Sequence, residues 1–164
     1  MISPGSRLAP ALSTRAPAAV VLIRFYVGLV FLCEGVLKFL RPAALGTGRF
    51  EKAGIPAPAF FSTLDGAFEI GCGTLILLGL LTRLAASPMI VDMLGALLIT
   101  KLPLLCCQAP LFGREHGWWD FIHESRVDLA QLCGSLFLLF AGAGTLSLDA
   151  WLTGSALRSP PTTT

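Results

Sequence analysis

Four long apolar stretches dominate the chain, at about 18–40, 59–81, 84–105 and 127–148. Each is about 22 residues, enough to cross a hydrocarbon core of about 30 Å at a helical rise of about 1.5 Å per residue. A span isolated in lipid satisfies its backbone internally, which predicts helix; the alternating segments of a membrane barrel do not occur. Arg41-Pro42 ends the first span, because proline disfavours helix in the residue before it. In the segment that follows, RFEKAGIP predicts a short amphipathic helix on the membrane surface, closed by Gly54. Thr82-Arg83 reads as a tight turn, which makes the second and third spans hairpin partners. The longest polar stretch is 106–126, CCQAPLFGREHGWWDFIHESR, whose Trp118 and Trp119 suit the headgroup belt. The predicted fold is an all-α membrane protein: a four-transmembrane-helix antiparallel bundle, 18–148, with a short interfacial helix in the first loop. The segments 1–17 and 149–164 have no apolar period and read as a disordered and a flexible tail.

Composition agrees with this class. Hydrophobic residues make up 54% of the chain and charged residues 13%, a balance too apolar for an ordinary soluble domain. A net charge of +2 with no long basic run argues against nucleic acid as a partner. Arg7 and Arg15 ahead of apolar sequence imitate a secretory signal. The apolar run 18–40 outlasts the roughly 7–15 residues of a signal core, however, and carries Arg24, so it reads as a retained span. Orientation stays open. An inside N-terminus collects Arg7, Arg15, Arg83 and Arg158 inside, against Arg41, Arg49, Lys52, Arg114 and Arg126 outside, a lean of one residue toward the opposite sense.

The charges inside the spans carry the functional argument. A charge at mid-bilayer costs about 2.5–3.5 kcal/mol on insertion scales, so it faces helices, water or a counter-charge. Glu34 and Lys38 lie four apart on one helix face and can pair. In the second span Gly66, Glu69 and Gly73 share a face, with Asp65 one turn before, so small residues would seat Glu69 against a partner helix. Alternating directions bring the end of span one, the start of two, the end of three and the start of four to one membrane face. Counted from it, Asp65 and Lys101 lie about 6–8 Å deep, Glu34 about 9 Å and Glu69 about 13 Å. Glu124, Arg126 and Asp128 fall at the rim. Glu34, Lys38 and Glu69 are therefore the candidate catalytic residues, and Asp65, Lys101, Glu124, Arg126 and Asp128 the candidate substrate-binding ones. The alternative is a set of ion pairs that locks helix order and binds nothing. Arg24, about 24 Å from that face, and Asp92, about 20 Å, share a depth and read as a separate structural ion pair.

Cys33, Cys72, Cys106, Cys107 and Cys133 form no C-x-x-C pair, and His116 and His123 are too far apart for a zinc pattern, so no metal site is expected. Thiol redox work competes here with the plainer reading of small apolar residues in buried helices. No phosphate loop, nucleophile elbow or dinucleotide fingerprint occurs.

The phrases RFYVGLVFLCEGVLKF, FEKAGIPAPAFFSTLDGAFEIGCGTLILLGLLTRLAA and HESRVDLAQLCGSLFLLFAGAG resemble the DoxX family of small four-span bacterial membrane proteins, over about 18–148. The resemblance implies a multi-pass protein of the bacterial inner membrane, related to the membrane subunit of thiosulfate:quinone oxidoreductase. It carries over Glu34, Lys38, Glu69 and Arg83, with Arg126 and Asp128 from the last phrase. The extra cysteines fall outside the pattern.

Three functions follow. The first is a subunit of a membrane oxidoreductase system, with quinone as the implied cofactor. Its polar intramembrane pocket would take a quinone or small sulfur species, with Glu34 or Glu69 carrying protons and Lys38, Lys101 and Arg126 stabilising a developing anion. No residue here transfers electrons by itself, so a quinone or a redox partner must. The second is a non-catalytic anchor in the lipid bilayer, alone or as a homo-oligomer, that docks a soluble redox enzyme through 106–126. The third, a small-solute or lipid transporter, lacks the inverted repeat and broken helices common in that class.

Overall fold

The computed structural model describes residues 17–107 and 109–158, with the backbone alone over 154–158. The described residues are all helical or irregular, with no strand. The elements are α1 (Val20–Leu40), α2 (Thr47–Lys52), α3 (Pro58–Leu78), α4 (Thr82–Ala96), α5 (Trp118–Ala141) and α6 (Leu148–Arg158). A π-helical turn, Leu97–Lys101, and a 3-10 turn, Leu102–Leu105, extend α4. Three helical segments are long and apolar enough to cross a membrane: Val20–Leu40, Pro58–Leu78 and Thr82–Leu105. Their outer faces carry Leu22, Phe25, Leu84 and Val91, all exposed, as helices solvated by acyl chains require.

α1 and α3 pack backbone to backbone. A Cβ on Gly28 would stand 2.8 Å from the Gly73 carbonyl oxygen, and one on Gly35 2.8 Å from that of Gly66. Seven residues forward on α1 match seven residues back on α3, so the two helices run in opposite directions. Only glycine permits this approach, the small-residue mode of membrane helix contact. Val27, Phe31, Ile76, Met89 and Leu138 fill the core beside it.

α5 differs from its prediction. It starts at Trp118, nine residues before the expected span, and stops at Ala141. Gly117, at φ 104°, releases the chain into it, and Asp120 accepts a hydrogen bond from the His116 amide at 2.9 Å. Gly142, at φ 80°, ends it. Its buried face carries Ser125, Gln131, Ser135 and Leu138, a polar stripe at helical spacing. The hairpin turn also shifts. It lies at Gly79–Leu81 and not at Thr82-Arg83, because Gly79 takes φ 67° and the Leu80 amide reaches back to the Leu75 carbonyl.

The predicted Arg24–Asp92 pair does not form. Arg24, buried, donates Nε to the Ile76 carbonyl at 3.1 Å and Nη2 to that of Leu77 at 3.0 Å. Its Nη1 donates to the carbonyls of Ala143 at 2.9 Å and Leu146 at 2.5 Å. The guanidinium thus closes the open end of α3, where carbonyls lack intrahelical partners and a cation is favoured. Gly79 makes room, since a Cβ there would meet Arg24 at 2.7 Å. The depth count behind the pairing ran from Leu105 through turns that are not α-helical. Counted from the hairpin turn, Asp92 lies level with Glu69.

The expected tail from 149 begins instead as α6; residues 1–16 and 159–164 lie outside the described ones. Ser147 Oγ accepts from the Ala150 amide at 3.1 Å and caps the helix. Asp149, 1% exposed, accepts from the amides of Leu81 at 2.7 Å and Thr82 at 3.2 Å, and its own amide donates to the Gly79 carbonyl at 2.9 Å. It caps α4 from the far end of the sequence. Asp149→Ala leaves two amides unmet at about 1–3 kcal/mol each, and unfolding in detergent should show a loss of that order. Asp149→Asn, which keeps one acceptor, should lose less.

Candidate functional site

Opposite the Arg24 clamp, α1, α2, α3, the α4 extension and α5 enclose a cavity of about 880 Å³, within the range of small-molecule sites. Glu34, Lys38, Asp65, Glu69, Lys101, Glu124, Arg126 and Asp128 all line it. The residues singled out for chemistry are therefore brought to one space from four parts of the chain.

They fall into two groups. In the first, Lys38 leaves its own helix and donates to Asp65 and to Glu69, the latter at 2.5 Å. It does so in preference to Glu34, four residues back, because the glycine crossing sets α3 directly against its face. Glu69 is 3% exposed, and an ammonium held by two carboxylates meets the condition for burying such charges. Asp92 joins this group, in the field of Asp65, Glu69 and Lys38. In the second group, Lys101 Nζ stands 3.8 Å from both Glu124 and Asp128 and 4.5 Å from the centre of the Phe112 ring. Arg49 and Arg126 lie in the field of Lys101. Glu34, exposed and lining the cavity, is in the field of Glu69 and of Asp128, and so connects the groups.

Sequence reasoning missed Asp92, Arg49 and Gln131 as lining residues. Asp92 was readable from its mirror position to Glu69 across the hairpin. Arg49 depends on how α2 folds back, which periodicity does not encode. Gln131 shares a face with Asp128 one turn away. The cysteines do not line the cavity. All five are free, Cys72 buried and the rest exposed, with the sulfurs of Cys106 and Cys107 2.6 Å apart. Among the described residues no three His, Cys, Asp or Glu side chains are grouped as metal ligands.

One wall is apolar. Phe61, Leu64 and Phe68 from α3, with Val91 and Ile99 from the α4 segment, line the cavity and are exposed. Gly95 between them has nothing within 4 Å of where a Cβ would be. This apolar wall lies along α3 and the α4 segment, both long and apolar enough to cross a membrane. Lys38→Met, which strands Asp65 and Glu69, should cost about 3–5 kcal/mol in detergent unfolding. Glu34→Gln should stay within about 0.5 kcal/mol.

The sequence profile of the DoxX family matches residues 19–102, covering α1 to the start of the 3-10 turn. A Mycobacterium tuberculosis (strain ATCC 25618 / H37Rv) protein named "Uncharacterized membrane protein Rv3486" is 52% identical over 145 residues, 88% of each chain. A Bacillus subtilis (strain 168) protein named "Putative oxidoreductase CatD" is 27% identical over 132 residues, 80% of this chain and 85% of its own. No solved structure matches. Profile and identity together, over helices that cross at glycines beside a cluster of buried acids and lysines, make this membrane protein a member of the DoxX family.

Proposed function

We propose that the chain is the membrane subunit of a quinone-linked oxidoreductase system in the bacterial inner membrane, and that its cavity receives the quinone headgroup. In this reading α5 is the fourth crossing. Its polar stripe faces inward and its apolar half, from Val127, faces lipid, which completes an antiparallel four-helix bundle. The similarity to a protein named as an oxidoreductase supports the redox assignment.

The observation that carries the reading is the apolar, exposed wall that the cavity has on α3 and the α4 segment, opposite its charged end. A lipid-soluble ring can pass between Phe68 and Val91 without entering water. A small sulfur anion gains nothing from an opening toward acyl chains, so quinone is favoured over it. The charged end then supplies what a quinone reaction needs. The neighbouring carboxyls Asp65, Glu69 and Asp92 take or return protons, with Lys38 holding Asp65 and Glu69 in place. Lys101 and Arg49 stabilise negative charge on a ring oxygen. Quinone supplies the electron chemistry, and a partner enzyme exchanges electrons with it.

A second reading rests on Trp119, 81% exposed, and Trp118, 59% exposed. With the polar turn before them they offer a docking face for a soluble enzyme. Crosslinking in intact membranes that captures one abundant partner, with Glu69→Gln harmless to activity, would favour docking alone.

The quinone reading is tested by titrating the protein in nanodiscs with decylubiquinone. Binding should saturate, and Gly95→Trp, which fills the apolar wall, should weaken it at least tenfold. Gly71→Trp, at an equally open outer position away from the cavity, should bind as wild type. Equal losses in both variants, or no saturation in wild type, would remove the quinone pocket.

A further inference from the structure

Buried polar oxygens on the cavity wall are left unmet, and one of them, an amide oxygen, can only accept. Gln131 is 1% exposed and lines the cavity, and its Oε1 meets no hydrogen-bond partner among the described residues. Its orientation is fixed, because Nε2 donates to the Val27 carbonyl at 3.1 Å and the flipped amide would set two oxygens against each other. Asp92 Oδ2, also buried and on the cavity wall, has no hydrogen-bond partner either. Asp128 Oδ2 has none, and meets Lys101 only as an ion pair at 3.8 Å. Buried acceptors are rarely left without a donor.

The donors are placed otherwise. Lys38 spends its ammonium on Asp65 and Glu69 and lies 5.9 Å from the Phe50 ring centre. Arg126 donates Nη1 to the His123 carbonyl. Lys101 and Arg49, in the second group, remain for a ligand oxygen. A ligand that fits this cavity therefore brings a hydrogen-bond donor of its own to Gln131, on an apolar body that suits the wall of Phe61, Phe68 and Val91.

We infer that the cavity binds the dihydroxy state of its ligand, a hydroquinone, in preference to the quinone, with Gln131 Oε1 as the atom that receives a ring hydroxyl. This rests on the quinone reading above and adds the redox state. A quinone has two carbonyl oxygens and no donor, so it leaves Gln131 Oε1 unmet. A hydroquinone donates from each hydroxyl and still accepts from Lys101 or Arg49. The protein then stabilises the reduced ring, and the bound couple is easier to reduce than the free one.

The test compares decylubiquinol with decylubiquinone, under anaerobic conditions, on the full chain in nanodiscs. The quinol should bind at least tenfold tighter, which is about 1.4 kcal/mol. By linkage a tenfold preference raises the midpoint potential of the bound two-electron couple by about 30 mV, which a redox titration reads independently. Gln131→Leu should remove most of the preference by weakening the quinol and leaving the quinone unchanged. Should Gln131→Leu not fold, the wild-type comparison of the two states decides alone. Equal binding of both states, or tighter quinone, overturns the inference while leaving the quinone pocket standing. Binding of neither overturns both.

Discussion

The contact between the backbones of α1 and α3 sets everything else. With glycine at 28, 35, 66 and 73 the helices touch without side chains between them. That closeness fixes their register, and the register carries Lys38 to Asp65 and Glu69. Were the helices farther apart, an ammonium on a flexible stem would have room to turn back to Glu34 or toward the headgroups. The crossing places the ion group on the inner side of the helices, and so allows charge where charge is otherwise costly.

The molecule has two polar ends with opposite characters. At the Arg24 end each strong donor or acceptor of the clamp is met by backbone: guanidinium on carbonyls, the Asp149 carboxylate on amides. Every charged atom of the clamp is met, although the buried Thr82 Oγ1 beside it has no partner, and the arrangement holds chain segments together. At the cavity end ions meet ions across helices, and several buried oxygens have no donor. A finished network stabilises; an unfinished one beside an open space is where a ligand fits. The contrast between the two ends distinguishes structure from site more clearly than the positions of charges do.

Helix content, the three apolar crossings and the meeting of Glu34, Lys38, Asp65, Glu69, Lys101 and Asp128 were legible in the sequence. Hydropathy and alternating direction suffice for these. Depth counting worked for Glu69 because α3 is regular. It failed for Asp92, because a π turn and a 3-10 turn separate that residue from the end used as reference. The role of Arg24 was hidden for a different reason. Its partners are main-chain carbonyls, and side-chain identity at Ile76, Leu77, Ala143 and Leu146 says nothing about them. Asp149 was hidden because it sits in a segment whose composition resembles a tail, though one carboxylate there closes a helix far away in sequence.

The clamp also constrains the order of assembly. Arg24 enters the bilayer with the first helix, and Ile76 and Leu77 become available once the hairpin is made. Its remaining partners, Ala143 and Leu146, lie 119 and 122 residues downstream. The half of the clamp made with Ile76 and Leu77 can therefore form before the half made with Ala143 and Leu146, and the shell of the guanidinium is complete only when chain from both sides of α5 has come to it.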